Sequence, residues 1–255
     1  MRYTPAMLSK NKIKYIRSLE LKKNRTTDRV FVAEGHKLVG ELIGHFGCRL
    51  LLATAKWQSA HSVQADEIVE VTDEELARAS FQKSPQEVLA VFEQPSYPLS
   101  TEVLSHALCL ALDNVQDPGN VGTIIRLADW FGIEYLFCSN ETVDVFNPKT
   151  VQATMGALAR VKICYTDLPL LLKSLSDIPV YGTFLTGENI YEKQLADHGL
   201  IVMGNEGKGI SKEVAAWIRE RLYIPNYPRG RTACESLNVA IATGIVCAEF
   251  RRRRQ

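Results

Sequence analysis

Residues 107–126 read ALCLALDNVQDPGNVGTIIR. The first six are almost uniformly apolar. Such a run suits a strand buried on both faces, as in a parallel sheet covered by helices. The chain then turns polar, reverses at Pro118-Gly119 and resumes an apolar helical pattern from Val121. Strand, polar loop and helix in that order are the first half of a right-handed crossover. Asn120 stands where a helix cap belongs, and Gly122 lets a second backbone come close. Arg126 is the single guanidinium in the apolar stretch VGTIIRLADWFGI, and it is expected to share a side of the helix with Asn120.

The same alternation continues downstream. Tyr135–Cys138, Val180–Leu185, Leu200–Met203 and Leu222–Ile224 read as further strands. Val121–Phe131, Asn147–Ala159, Leu168–Ser176, Lys212–Arg221 and Leu237–Arg253 read as helices. Residues 106–255 are therefore expected to form an α/β domain on a parallel sheet. Upstream, 7–23 has the mixed apolar and basic pattern of an amphipathic helix. Strands are expected at Arg29–Glu34, Arg49–Ala53, Ile68–Val71 and Glu87–Phe92, with helices after Gly35 and after the capping box at Thr72. This is a small α/β domain over 1–95. The prolines of Gln94–Ser100 (QPSYPLS) begin a linker, assigned to 96–105.

At 255 residues, 46% hydrophobic and 23% charged, the chain is an ordinary globular protein with room for two modest domains. Its net charge of +1 points to no partner, but its distribution does. Lys10, Lys12, Lys14, Arg17, Lys22, Lys23, Arg25 and Arg29 crowd one end and Arg251–Arg254 the other, as two patches able to attract phosphates. The six cysteines make no C-x-x-C pair and mostly sit in apolar runs, which argues against structural zinc; no metal is expected. There is no signal-peptide pattern and no segment near ~20 apolar residues, so the expectation is a soluble, cytoplasmic protein without a membrane partner.

Two more polar loops follow predicted strands. Gly204–Ser211 (GNEGKGIS) follows LIVM, and its glycines are expected to leave backbone N–H groups free for a ligand. It is neither a P-loop nor a dinucleotide fingerprint. Ile224–Asn238 (IPNYPRGRTACESLN) runs into a helix, with Ser236 a possible cap and Asn238 at the very start.

In this order, Asn120-x-Gly122-x-x-x-Arg126, Gly204-Asn205-Glu206-Gly207-x-Gly209, and Ile224-Pro225 followed by Ser236-Leu237-Asn238-Val239 resemble the three motifs of the SpoU/TrmH-type RNA ribose methyltransferases of the SPOUT class. The resemblance covers about 107–251. Residues 10–95, through Phe31–Gly35 (FVAEG), are similar to the L30e-like RNA-binding domain often fused to that family. The resemblance implies a trefoil-knotted α/β catalytic domain, S-adenosylmethionine as cofactor, and a homodimer with the active site completed across the interface. It implies methyl transfer to a ribose 2′-hydroxyl, with ribosomal RNA favoured over transfer RNA. Alternatives are a transfer-RNA 2′-O-methyltransferase and a catalytically silent RNA-binding protein of the same fold.

By the same match, the catalytic set is Asn120, Arg126, Glu206, Ser236 and Asn238. Cofactor contacts fall on Thr183, Gly204, Asn205, Glu206, Gly207, Ile224 and Leu237. A guanidinium is a poor base, because its pKa exceeds ~12. Arg126 is better suited to gripping a phosphate and favouring a developing alkoxide, although family proposals also include Arg as the base. Residues 226–235 make the third motif longer than its compact form. They add Arg229, Arg231 and Cys234, the last a nucleophile that methyl transfer to oxygen does not require.

Overall fold

The computed structural model describes residues 8–228 and 236–252. Arg229, Arg231, Cys234, Arg253 and Arg254 lie outside the described residues. The strands are β1 (Val30–Glu34), β2 (Cys48–Ala53), β3 (Glu67–Glu70), β4 (Val88–Glu93), β5 (Leu108–Leu112), β6 (Tyr135–Cys138), β7 (Lys162–Tyr165), β8 (Val180–Asn189), β9 (Gly199–Met203) and β10 (Glu220–Tyr223). The helices are α1 (Lys10–Ser18), α2 (Lys22–Asp28), α3 (His36–Leu42), α4 (Ala55–Ala60), α5 (Asp73–Ala79), α6 (Pro118–Trp130), α7 (Pro148–Thr154), α8 (Leu168–Lys173), α9 (Lys212–Ala215) and α10 (Val239–Arg252).

Two compact units divide these elements. The first comprises the chain up to Ser96 together with Asp144–Ala159. Its sheet has the order β1-β4-β2-β3, with β4 antiparallel to both neighbours and β3 parallel to β2. Alternation along β1 sends Val30 and Val32 to a core with Ile16, Leu19, Leu52, Leu76 and Leu89. Phe31 faces the other way, into a ring cluster with Phe46, Phe92 and Phe146. Phe146 comes from the later segment, which is also tied by charge. The buried Arg25 guanidinium binds the Asp144 carboxylate and donates to the carbonyls of Leu19 and Glu20, both at 2.7 Å. Gly156 lies in this segment at φ +94°, where an added Cβ would fall 2.5 Å from that of Glu41.

Arg25 also explains a departure from the single helix expected over 7–23. With Arg25 Nη1 on the carbonyls of Leu19 and Glu20, and Asn24 Nδ2 on the carbonyl of Ser18 at 2.7 Å, side chains satisfy the end of α1. The chain therefore breaks there and restarts as α2. The capping box at Thr72 forms as the sequence indicates. Helix α4 was not anticipated; Thr54 caps it by accepting from the Trp57 amide.

The second unit comprises Tyr97–Val143 and residues from Arg160 onward. Its sheet is parallel throughout, in the order β10-β8-β9-β5-β6-β7. The central strands β5 and β9 are wholly buried, as their unbroken apolar runs require. Three local readings are corrected. Strand β7 (KICY) had no apolar run to mark it, because only Cys164 is buried. The helix expected over Lys212–Arg221 ends at Ala215. Beyond it the Arg219 guanidinium is spent on the carbonyls of Leu175 and Ser176, and Lys193 binds both Glu188 and Glu220, which holds 219–223 in the sheet. The helix expected over Asn147–Ala159 stops at Thr154, where Met155 turns left-handed at φ 51°. Residues 229–235, within the loop of the third motif, lie outside the described residues. No described helix is long and apolar enough to cross a membrane.

Breaking a buried ion pair strands the remaining charge and costs about 3–5 kcal/mol. Arg25→Ala is therefore expected to weaken the first unit by that order. Hydrogen exchange of the β1 amides measures it, and unchanged protection would show that the clamp adds nothing.

Candidate active site at the carboxyl ends of the parallel strands

Asp113 ends β5 and begins the site. Its amide donates to the carbonyl of Met203 at 2.9 Å, and its buried carboxylate accepts from the Ser211 amide at 2.6 Å. The next residue, Asn114, is left-handed at φ 59°, and its carbonyl accepts from Asn205 Nδ2 at 2.7 Å. The first and second polar loops are thus stitched together at both ends of the second.

Within the second loop, Asn205 and Gly209 exchange backbone hydrogen bonds of 3.0 and 2.9 Å. Asn205 Oδ1 accepts from the amides of Gly207 and Lys208, both at 3.0 Å. This corrects the expectation of a loop with free amides: those of Asn205, Gly207, Lys208 and Gly209 are spent on closing the turn. Gly204 is required because a Cβ there would lie 2.3 Å from the Gly209 backbone.

Glu206 is left pointing at the first loop. Asn120 Nδ2 donates to Glu206 Oε1 at 3.0 Å, and Asn238 Nδ2 donates to Asn120 Oδ1 at 2.9 Å. Asn238 Oδ1 then accepts from the amides of Ala240 and Ile241 at 2.9 and 3.2 Å, which caps α10. Neither cap is the residue first considered. Asp117 caps α6 by accepting from the Asn120 amide at 2.8 Å, which frees the Asn120 side chain to face Glu206. Asn238, not Ser236, caps α10, and Ser236 is exposed.

The structure thus brings Asn120, Glu206 and Asn238 together and leaves Arg126 out. Arg126 is exposed and makes no hydrogen bond or ion pair among the described residues. Six residues at about 100° each put it some 120° around α6 from Asn120, not on the same side. Gly204 and Ile224 directly follow β9 and β10, and Thr183 lies within β8, the strand between those two in the sheet. Thr183 is the first residue of β8 beyond its ladder with β9, and its hydroxyl donates to Met203 Sδ at 3.7 Å. Leu237 is 45% exposed just before α10. Asp113, Asn114 and Asp117 escaped the sequence reading. Their one signal was position, polar residues packed between a buried strand and a helix.

Burial pushes the Cys109 and Cys247 thiols up to about 12 and that of Cys138 higher still. They stay protonated at neutral pH and offer no nucleophile. Among the described residues, no group of three His, Cys, Asp or Glu side chains is placed to hold a metal ion.

A parallel α/β unit with three polar reversals tied together at one end of its strands, preceded by a mixed-sheet unit, has the build of a ligand-binding catalytic domain with an accessory domain. Residues 107–248 match the model of the SpoU rRNA Methylase family, and the chain belongs to that family. Residues 10–90 match the MRM3-like substrate binding domain. The chain is 29% identical over 245 residues to the 23S rRNA (guanosine(2553)-2′-O)-methyltransferase RlmP of Bacillus subtilis, covering 94% of this chain and 96% of that one. Its structure is similar to that of a candidate TrmH-family RNA methyltransferase from Porphyromonas gingivalis, with TM-score 0.89 and 47% identity over 97% of this chain and 100% of that one. It is also similar to an AdoMet-bound rRNA methyltransferase from Sinorhizobium meliloti, with TM-score 0.81 and 32% identity over 97% of each chain.

Asn120→Asp tests the polarity of the hydrogen-bonded chain, because it sets a second carboxylate against Glu206. The two share a proton in the folded state, so one carboxyl has its pKa raised by folding. The stability tied to that proton is present at low pH and lost as pH rises through the raised pKa. Thermal unfolding should therefore show a deficit that is larger in mildly alkaline than in mildly acidic buffer. Adding Glu206→Gln restores a donor and should remove the deficit. A deficit that is independent of pH and not rescued would refute the arrangement.

Proposed function

We propose that this chain transfers a methyl group from S-adenosylmethionine to a ribose 2′-hydroxyl of ribosomal RNA, acting in the cytoplasm as a homodimer. The observation that carries the proposal is the Glu206–Asn120–Asn238 chain, which draws the three family motifs into one site. Ribosomal RNA is favoured over transfer RNA because the Bacillus subtilis relative, matched across both units, is named for 23S rRNA.

The loop ends fit the cofactor. Thr183 and Ile224 are half-buried and Leu237 is exposed, offering apolar surface to an adenosine, while the closed turn at Gly204–Gly209 gives that surface a fixed wall. When bound, S-adenosylmethionine supplies an electrophilic methyl carbon. The protein's part is to align the ribose oxygen and ease loss of its proton. In this reading Arg126 grips a phosphate beside the target ribose and stabilises the developing alkoxide. Glu206, Asn120 and Asn238 hold the loops in register, and the exposed Ser236 hydroxyl meets the RNA.

The dimer answers the separation of Arg126 from the other motif residues. Arg126 lies four residues before Trp130, so both occupy one face of α6. Trp130 is 84% exposed, and on α10, which packs on α6, Ile241 is 57% exposed. Large apolar side chains left in solvent beside a catalytic cation mark a face suited to a second copy of the chain. Arg126 then serves the partner's loops.

Arg126→Ala is expected to lower kcat by about 100- to 1,000-fold, the cost of losing one charge-stabilising donor, with cofactor affinity unchanged. The readout is 2′-O-methylnucleoside in digested rRNA, measured by mass spectrometry. Full transfer by the variant, or methylation on a base, would end the proposal. Trp130→Glu should give a monomer by sedimentation equilibrium and lose transfer along with dimerisation. A monomeric variant of full activity would remove the shared site.

A further inference from the structure

In the first unit, the carboxyl ends of β1 and β2 meet the start of β4, which is antiparallel to both. Gly35 N–H bonds the Val88 carbonyl and Thr54 N–H bonds that of Glu87, each at 2.9 Å, so the residues after both strands flank Glu87. Glu87 is left-handed at φ 53° and its carboxylate takes a hydrogen bond from Lys56. That bond holds the carboxyl below its usual range, aided by the nearby charges of Lys56, His36 and His61. Lys56, on α4, is 84% exposed and has two ammonium hydrogens to spare.

One turn further, at the end of α4, His61 lies flat on Trp57, with ring centroids 4.2 Å apart and planes 10° apart. His61 Nδ1–H donates to the Trp57 carbonyl oxygen at 2.8 Å, which fixes the ring's orientation as well as its plane. Trp57 is 1% exposed, and its Nε1 is buried without a hydrogen-bond partner. The indole N–H makes no hydrogen bond; the ring underlies the imidazole of His61, a residue that is exposed. A ring already ordered by stacking and a hydrogen bond loses little freedom when a ligand covers it. Unpaired RNA bases stack on such rings, histidine included, and a lysine beside the platform suits the adjoining phosphate. The site falls within the stretch matched as a substrate binding domain.

We propose that His61, backed by Trp57, is a stacking platform for an unpaired base of the substrate RNA, with Lys56 contacting the neighbouring phosphate. The proposal rests on the reading of the chain as an RNA methyltransferase and places one substrate contact on the first unit.

The test uses the full chain with two probes, a large-subunit ribosomal RNA transcript and a blunt RNA duplex without unpaired bases. His61→Ala is expected to weaken transcript binding about 5- to 150-fold, the usual range for one lost stack, and to leave duplex binding alone. His61→Phe, which keeps a flat ring, should hold transcript affinity near wild type. Lys56→Ala should flatten the dependence of log affinity on log salt by about one. S-adenosylmethionine affinity, measured by calorimetry, should not move in any variant. Wild-type affinity in His61→Ala, equal losses in the Ala and Phe variants, or equal loss on the duplex would each overturn the platform. An unchanged salt slope in Lys56→Ala would overturn the phosphate contact. Each of these results leaves methyl transfer by the wild-type protein standing. Wild-type protein that neither binds the transcript nor methylates it overturns both readings.

Discussion

A carboxylate at Glu206 can only accept hydrogen bonds, and that restriction propagates through the site. It compels Asn120 to present its amide nitrogen to Glu206 and its oxygen to Asn238. Asn238 must then offer its nitrogen, and its own oxygen is left for the opening amides of α10. Negative charge at one end and the positive pole of a helix at the other give the chain a single direction. With Asp113 and Asn205 as a second pair of ties, loops separated by some ninety residues are joined into one hydrogen-bonded body.

The same restriction divides the work of α6. Its first turn is committed inward: Asp117 caps it and Asn120 reaches across to the second loop. Later turns are not. Ile124, Ile125 and Ala128 are buried, whereas Arg126 and Trp130 stand in solvent on another side. A short helix thus serves the loops of its own subunit at one end. In the proposed dimer it serves a neighbour at the other.

What the sequence disclosed follows burial. Ala107–Leu112, Tyr135–Cys138 and Leu200–Met203 were legible as strands because both faces are covered, so their composition has no freedom to vary. The termini of several helices were not legible, since remote groups decide them. Arg25 ends α1 and Lys193 helps hold Glu220 in strand form. In the site, Asn120, Glu206 and Asn238 were recognisable as parts of motifs, but their partners were not. Asp117 and Asn120 are equally good caps on paper, and only the fold shows that one is used so that the other is spared. The Gly-rich loop misled for a related reason: its amides look available until Asn205 is seen to consume two of them.

The segment Asp144–Ala159 has a further consequence. It leaves the second unit, threads Phe146 into the ring cluster of the first, and returns. The polypeptide therefore passes between the units three times, not once. A protease nick in the connector near Ser96 would sever one of three strands of attachment, and the fragments would stay associated under native conditions. For the same reason the amino-terminal module is not transferable as a simple end-to-end cassette. Any ancestor or engineer moving it must bring along a piece encoded within its neighbour.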